Sequence, residues 1–232
     1  MFGNCEAYCE RRTNIMELSG KKVNFLGDSI TEGVGASCVE NIYLNVLKRK
    51  ENLAAARNYG WSGSRIARQL DFRGEDPEYA YVDRFYKMDD DADIIVVFGG
   101  TNDYGHGDAP LGTMEDRTPT TFYGACHLLI EGLMNKYPLA TIVFMTPIHR
   151  DMGPDMDRIH PSRYNATLLD YSNIIKEVAQ YYSVPVVDLF ATAGIHPEIK
   201  INKEKLCPDG LHPNDAGNEI IASRLAGVLK AL

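Results

Sequence analysis

Lys21-Lys22-Val23-Asn24-Phe25-Leu26-Gly27-Asp28-Ser29-Ile30-Thr31-Glu32-Gly33 joins a short strand to a turn of small and polar residues. The apolar run at 23–26 reads as a strand covered on both faces. In a parallel α/β sheet the chemistry sits at the carboxyl ends of the strands, so this turn would present Ser29 to a substrate. A local reading stands beside that one, because Ser29 and Glu32 fit the capping-box pattern, in which serine and glutamate satisfy each other's backbone donors. Gly33 and Gly35 follow at once, where a capped helix should continue with a periodic apolar face. On this stretch alone both readings of Ser29 remain open.

Outward from this junction, residues 94–98 (Ile-Ile-Val-Val-Phe) and 141–145 (Thr-Ile-Val-Phe-Met) are again continuous and rich in β-branched residues. A fourth run covers 184–189, where Pro185 implies a sheet edge or a strand start, and a weaker fifth covers 55–59. Helical patterns fall between and after them, at about 38–51, 64–70, 77–88, 119–137, 161–182 and 214–232. Strand and helix alternate, so right-handed βαβ crossovers and a three-layer α/β/α sandwich are expected. The longest irregular stretches, 104–118 and 149–161, both follow strand carboxyl ends and read as walls of a substrate pocket.

A chain of 232 residues with 44% hydrophobic content suits one well-buried core, expected as a single domain over 19–232 after an N-terminal extension, 1–18. Its 24 basic and 32 acidic residues give a net charge of −8, which disfavours nucleic acid and anionic membrane surfaces as partners. The basic pairs Arg11-Arg12 and Lys21-Lys22 and the run 48–50 read as solvated charge. Five cysteines without a CxxC pair suggest a reducing compartment. Cys5 and Cys9 lack the neighbours that would complete a metal site. No cofactor or metal is implied, and no Walker, dinucleotide or HExxH motif occurs. Residues 1–18 lack a signal-type apolar run, and no stretch is long and apolar enough to span a membrane. The expectation is a cytoplasmic protein, although a secreted chain without its signal would read the same. Oligomeric state is open, with Phe2, Tyr8 and Ile15 available to pack on a second copy or over the pocket.

A serine hydroxyl attacks an ester only when a base takes its proton and a third group fixes the base's tautomer. Of the six histidines, His212 has the most telling surroundings: Cys207-Pro208-Asp209-Gly210-Leu211-His212-Pro213-Asn214. Asp209, three residues earlier in a turn between prolines, can fold back to the imidazole Nδ1 and leave Nε2 to face Ser29. The alternative is an Asp-Gly turn before a helix capped by Asn214 or Asp215. Ester cleavage also needs donors aimed at the developing oxyanion. Gly99-Gly100-Thr101-Asn102-Asp103, closing the 94–98 strand, offers the Asn102 amide, and Asn58-Tyr59-Gly60-Trp61-Ser62-Gly63-Ser64 offers the Gly63 backbone N–H. Each is also an ordinary glycine turn.

Taken together and in order, these segments resemble the SGNH hydrolases, also called GDSL-type esterases and lipases, from about Ser19 to the C-terminus. The matching blocks are Gly27-Asp28-Ser29, Ser62-Gly63, Gly100-Thr101-Asn102-Asp103 and Asp209-Gly210-Leu211-His212. The resemblance implies Ser29 as nucleophile, His212 as base and Asp209 as its orienting acid. It further implies an oxyanion hole from the Ser29 and Gly63 backbone amides and the Asn102 side chain. It implies a five-stranded parallel sheet in the flavodoxin-like order, an order the residue pattern alone does not fix. The first 18 residues lie outside the family pattern.

The expected activity is hydrolysis of short-chain acyl esters through an acyl-enzyme, with acetyl groups on carbohydrates as the leading candidate. Asp28, Trp61, Tyr104, His106, His149 and Arg150 are the candidate pocket residues, polar and aromatic groups suited to a hydrophilic alcohol. Thioesterase and lysophospholipase activities are alternatives within the family. A non-catalytic flavodoxin-like binding module, using the same loops as anion-binding nests, is the alternative of another class. A metal hydrolase built on Asp209, His212 and His149 or His160 lacks a ligand cluster, and an α/β-hydrolase proper lacks the G-x-S-x-G elbow.

Overall fold

Ile94-Ile95-Val96-Val97-Phe98 has no polar side to turn to water, and as strand β3 (Ile94–Phe98) it is buried at every position. A computed structural model describes residues 16–70, 79–151 and 166–232 of the chain. It places β3 at the centre of a five-stranded sheet with β1 (Lys22–Gly27), β2 (Ala55–Gly60), β4 (Thr141–Met145) and β5 (Val186–Val187), in the order β2-β1-β3-β4-β5. Every pairing is parallel. The pleat sends Ile94, Val96 and Phe98 to one face and Ile95 and Val97 to the other, where separate apolar cores form. Both edges fit their sequences. β2 is only half-buried along most of its length, and β5 is short and begins after Pro185.

The core on the first face joins α2 (Tyr43–Glu51) and α8 (Asp215–Lys230) to β1 and β3 through Leu44, Leu47, Ile221, Leu225 and Leu229. On the opposite face, α4 (Phe122–Lys136) and α5 (Leu168–Tyr181) cover Leu26, Ile95, Val97 and Phe144. The sheet is therefore the middle layer of an α/β/α sandwich, in the expected flavodoxin-like order. Inside β1 one polar residue, Asn24, is fully buried. Its amide donates to Asp89 O at 2.8 Å and its oxygen accepts from Arg57 at 3.2 Å, which offsets the cost of removing it from water.

Several helical expectations change. Residues 64–70 form no helix, because their backbone donors serve other partners: Ile66 and Ala67 donate to Asp103, and Leu70 donates to Asp108. The 77–88 pattern becomes two 3-10 turns, Tyr81–Asp83 and Phe85–Lys87, with 77 and 78 outside the described residues. Extended backbone at Ile42 (ψ 138°) splits the 38–51 pattern into a 3-10 turn, Val39–Asn41, and α2. The supposed loop from 104 starts inside a helix, α3 (Thr101–His106). The 149–161 loop and the 161–182 pattern lie partly outside the described residues, as does the extension 1–18.

Candidate active site

Parallel strands all end at one edge, and β1, β2 and β3 deliver three of the implied site segments there: Ser29, Trp61–Ser64 and Asn102. Ser29 opens the short helix α1 (Ser29–Glu32), whose N-cap is Asp28, with its carboxylate accepting the Ile30 N–H at 3.0 Å. The capping-box reading of Ser29 and Glu32 therefore does not hold: Asp28 is the cap, and it bonds to Ile30 with no reciprocal bond from the third helical residue, Thr31. Glu32 reaches Ser62 instead, accepting its backbone N–H at 2.6 Å and its hydroxyl.

His212 comes from the turn ahead of α8. Its Nε2 lies 2.9 Å from Ser29 Oγ and its Nδ1 lies 2.6 Å from Asp209 Oδ2, so the three groups form one continuous hydrogen-bonded chain. The second Asp209 oxygen accepts the Leu211 and His212 amides at 2.8 and 2.7 Å, which orients the carboxylate before the imidazole is considered. Burial alone would push the Asp209 carboxyl up. The His212 and Leu211 amides and the imidazole outweigh it and hold the acid below its ordinary value. An ionised Asp209 stabilises an imidazolium at His212, which a base needs on taking the serine proton.

Two ties keep His212 against Ser29. Asp215, in the first turn of α8, accepts from the Ser37 backbone and hydroxyl at 2.8 and 2.6 Å. Gly35 (φ +93°) lets the chain after α1 pass so close to His212 and Pro213 that a Cβ there would stand 2.6 Å from Pro213 O.

The 61–67 loop is pinned on several sides. Trp61 N donates to Gly27 O at 3.0 Å, and Asp103 accepts Ile66 and Ala67 N–H at 2.9 Å each. Arg84, 8% exposed, donates to Tyr59 O, Gly27 O and Ser64 Oγ at 2.6, 2.7 and 3.0 Å. Gly63 is left-handed (φ +77°), and a side chain there would meet the Tyr79 hydroxyl. Across this loop the Asn102 amide donates to Ser64 O at 3.1 Å, which ties the start of α3 (Thr101–His106) to the residue after Gly63. Burial raises Asp28 to about 7 and Asp103 to about 6.

The remaining candidates are distributed around this edge. Asp28 is buried as the N-cap. Trp61 is 38% exposed and meets Tyr79 edge-on, with ring centres 5.4 Å apart. Tyr104 packs against Tyr171 and under the Arg150 guanidinium, which donates to Thr101 O at 2.9 Å. His149 stacks between Phe190 and His196, and burial first, then the neighbouring imidazole, lowers its pKa. His106 bonds to Asn102 and Arg65. Arg84, Arg65 and Tyr79 carry no motif in the sequence, and Glu32 carries one only as a helix cap. Only Glu32 had a signal there, three residues after Ser29, and it pointed to a different partner. Among the described residues no cluster of three or more His, Cys, Asp or Glu could hold a metal ion, and no helix is long and apolar enough to cross a membrane.

A comparison with curated proteins gives no match. Solved structures do match. A protein from Lactobacillus plantarum is 34% identical, with 91% of this chain and 97% of that one covered and a TM-score of 0.79. A chain titled a possible lipase, from Chitinophaga pinensis, is 25% identical over 90% and 97%, with a TM-score of 0.65. A lipase/acylhydrolase from Enterococcus faecalis is 22% identical over 90% and 95%, with a TM-score of 0.62, and shares the fold. The GDSL-like Lipase/Acylhydrolase family matches residues 25–220, a span from within β1 into α8 that contains Ser29, Gly63, Asn102, Asp209 and His212, and the chain belongs to that family.

Proposed function

We propose that this protein is a serine ester hydrolase acting through an acyl-enzyme. The carrying observation is the His212 imidazole bridging Ser29 Oγ at 2.9 Å and Asp209 Oδ2 at 2.6 Å. His212 Nε2 takes the Ser29 proton as Oγ attacks the ester carbonyl, and Asp209 stabilises the imidazolium. The carbonyl oxygen becomes an oxyanion held by the Ser29 and Gly63 amides and the Asn102 side chain. Collapse breaks the ester C–O bond, and the departing alcohol takes the proton from His212. Water, deprotonated by the same imidazole, then attacks the acyl-enzyme and releases the acid and free Ser29.

Short acyl groups, with acetyl esters of carbohydrates first, are the proposed substrates. Support comes from the half-exposed Trp61–Tyr79 pair beside the Gly63 loop, an aromatic face of the kind that stacks on a sugar ring. A fluorophosphonate probe should add its mass at Ser29 and leave a Ser29→Ala variant unmodified. Asn102→Ala should lose about 10²- to 10³-fold in kcat. Rates on p-nitrophenyl esters from acetate to dodecanoate should be highest for acetate, and acetylated sugars should be deacetylated. A folded protein that resists the probe would favour the binding-module reading, and a preference for long chains would overturn the substrate assignment alone.

A further inference from the structure

We infer that His106, braced by Arg65, is a positioning residue that sets the Asn102 amide for the oxyanion. This rests on the esterase reading and assigns His106 a task other than lining the pocket. His106 Nε2 lies 3.1 Å from Asn102 Oδ1, and Arg65 lies 2.9 Å from His106 Nδ1. The protonation pattern follows from the donor inventory. A guanidinium has only N–H donors, so Nδ1 must accept and carries no proton. A neutral imidazole then bears its hydrogen on Nε2, and that N–H donates to Asn102 Oδ1.

The same logic orients the Asn102 amide, whose oxygen and nitrogen would otherwise be interchangeable. With Oδ1 held by His106, Nδ2 faces the 61–67 loop. It gives one hydrogen to Ser64 O at 3.1 Å and has a second for an oxyanion.

The relay is anchored at both ends. Asn102 is 4% exposed and Arg65 is 5% exposed, with its guanidinium over the Tyr79 ring at 5.2 Å. Arg65 also belongs to the loop that carries Gly63, so the His106 ring ties α3 to the partner loop of the same hole. The i, i+4 spacing of Asn102 and His106 on α3 puts the two side chains on one face. An oxyanion donor stabilises the transition state only if it already points at the position where charge develops. Freed from His106, the amide can turn its oxygen toward the oxyanion, a repulsive arrangement.

The test compares kcat and KM on p-nitrophenyl acetate, and the rate of fluorophosphonate labelling, for wild type, His106→Leu, His106→Gln, Asn102→Ala and the His106→Leu/Asn102→Ala pair. His106→Leu should lower kcat about tenfold, a fraction of the 10²- to 10³-fold lost when the donor is removed outright, with KM nearly unchanged. His106→Gln, which keeps an N–H donor, should recover most of the loss. In the Asn102→Ala background His106→Leu should cost nothing further, because a positioning residue acts only through the group it positions. Should the Leu variant not fold, His106→Phe takes its place. A wild-type kcat in His106→Leu, or the same loss with and without Asn102, overturns the inference while leaving the oxyanion hole standing. An undiminished rate in Asn102→Ala itself overturns the hole and the relay together.

Discussion

Asp28 concentrates a cost in the residue that immediately precedes Ser29 and caps its helix. Burial, with the nearby charge of Asp103 adding to it and the Ile30 amide opposing it, raises its carboxyl from 3.8 to about 7. Between those values the folded protein keeps the proton and the unfolded chain releases it, so its contribution to stability is complete below about pH 4 and is lost as pH rises through about 7. Asp28→Asn preserves the acceptor for the Ile30 N–H and removes the ionisation. The variant should match wild type near pH 4 and gain steadily to about pH 7. Above that it should hold a constant advantage on the order of 4 kcal/mol, since each of the roughly three pH units separating the folded and unfolded values is worth about 1.4 kcal/mol. Urea unfolding across this range checks it, and a difference that does not vary with pH would refute the assignment. The Gly-Asp-Ser block was visible in the sequence, as was the Asp209–His212 spacing, because both are short-range. The direction in which Asp28 points, inward as the cap, was not. A pattern of S-x-x-E does not say which residue leaves the strand first, and the chain turns at Asp28, one residue before the pattern assumes.

At the scale of elements, the 61–67 loop shows why local patterns misled. Its amides at Ile66 and Ala67 donate to Asp103, which is 37 and 36 residues away in sequence, and its Ser64 hydroxyl meets Arg84. A helical period over 64–70 cannot report partners that distant, and these tertiary bonds replace the helical ones. Arg84 is the clearest case, a lone arginine in a stretch without a motif that clamps the ends of β1 and β2 to the loop. Arg84→Met removes the clamp and leaves the Gly27 and Tyr59 carbonyls short of a donor. The expected loss is about 3 kcal/mol, from charge-assisted hydrogen bonds of about 1.5–3 kcal/mol each set against relief from burying the cation. Because the loop carries Gly63, kcat should fall as well, at temperatures where circular dichroism shows the variant folded. A variant with unaltered kcat would mean that the loop holds its shape without the clamp.

For the whole molecule, β-branched runs and their alternation with helices fixed the class of architecture, since a strand buried on both faces must be apolar throughout. Strand order could not be read that way: Val96 pairs with Phe25 on one side and Val143 on the other, and nothing in three interchangeable apolar runs says which neighbours which. The order came from the family resemblance, and the sheet bears it out. The arrangement separates stability from chemistry. The cores lie on the two faces of the sheet, whereas the site lies along its carboxyl edge, held by local bonds such as Asp215 to Ser37 and Asn218 Nδ2 to Pro213 O at 2.8 Å. Leu225, fully buried in α8 against the first face, tests this separation. Leu225→Ala should cost about 2–5 kcal/mol through lost transfer energy and the cavity left behind. That corresponds to a fall in Tm of roughly 4–20 °C for a chain of this size. Its kcat at 25 °C, counted per folded molecule, should remain that of wild type, because the hydrogen bonds that position His212 do not pass through Leu225. A fall in kcat without unfolding would show that α8 transmits core packing to His212, and would place the boundary between scaffold and site inside that helix.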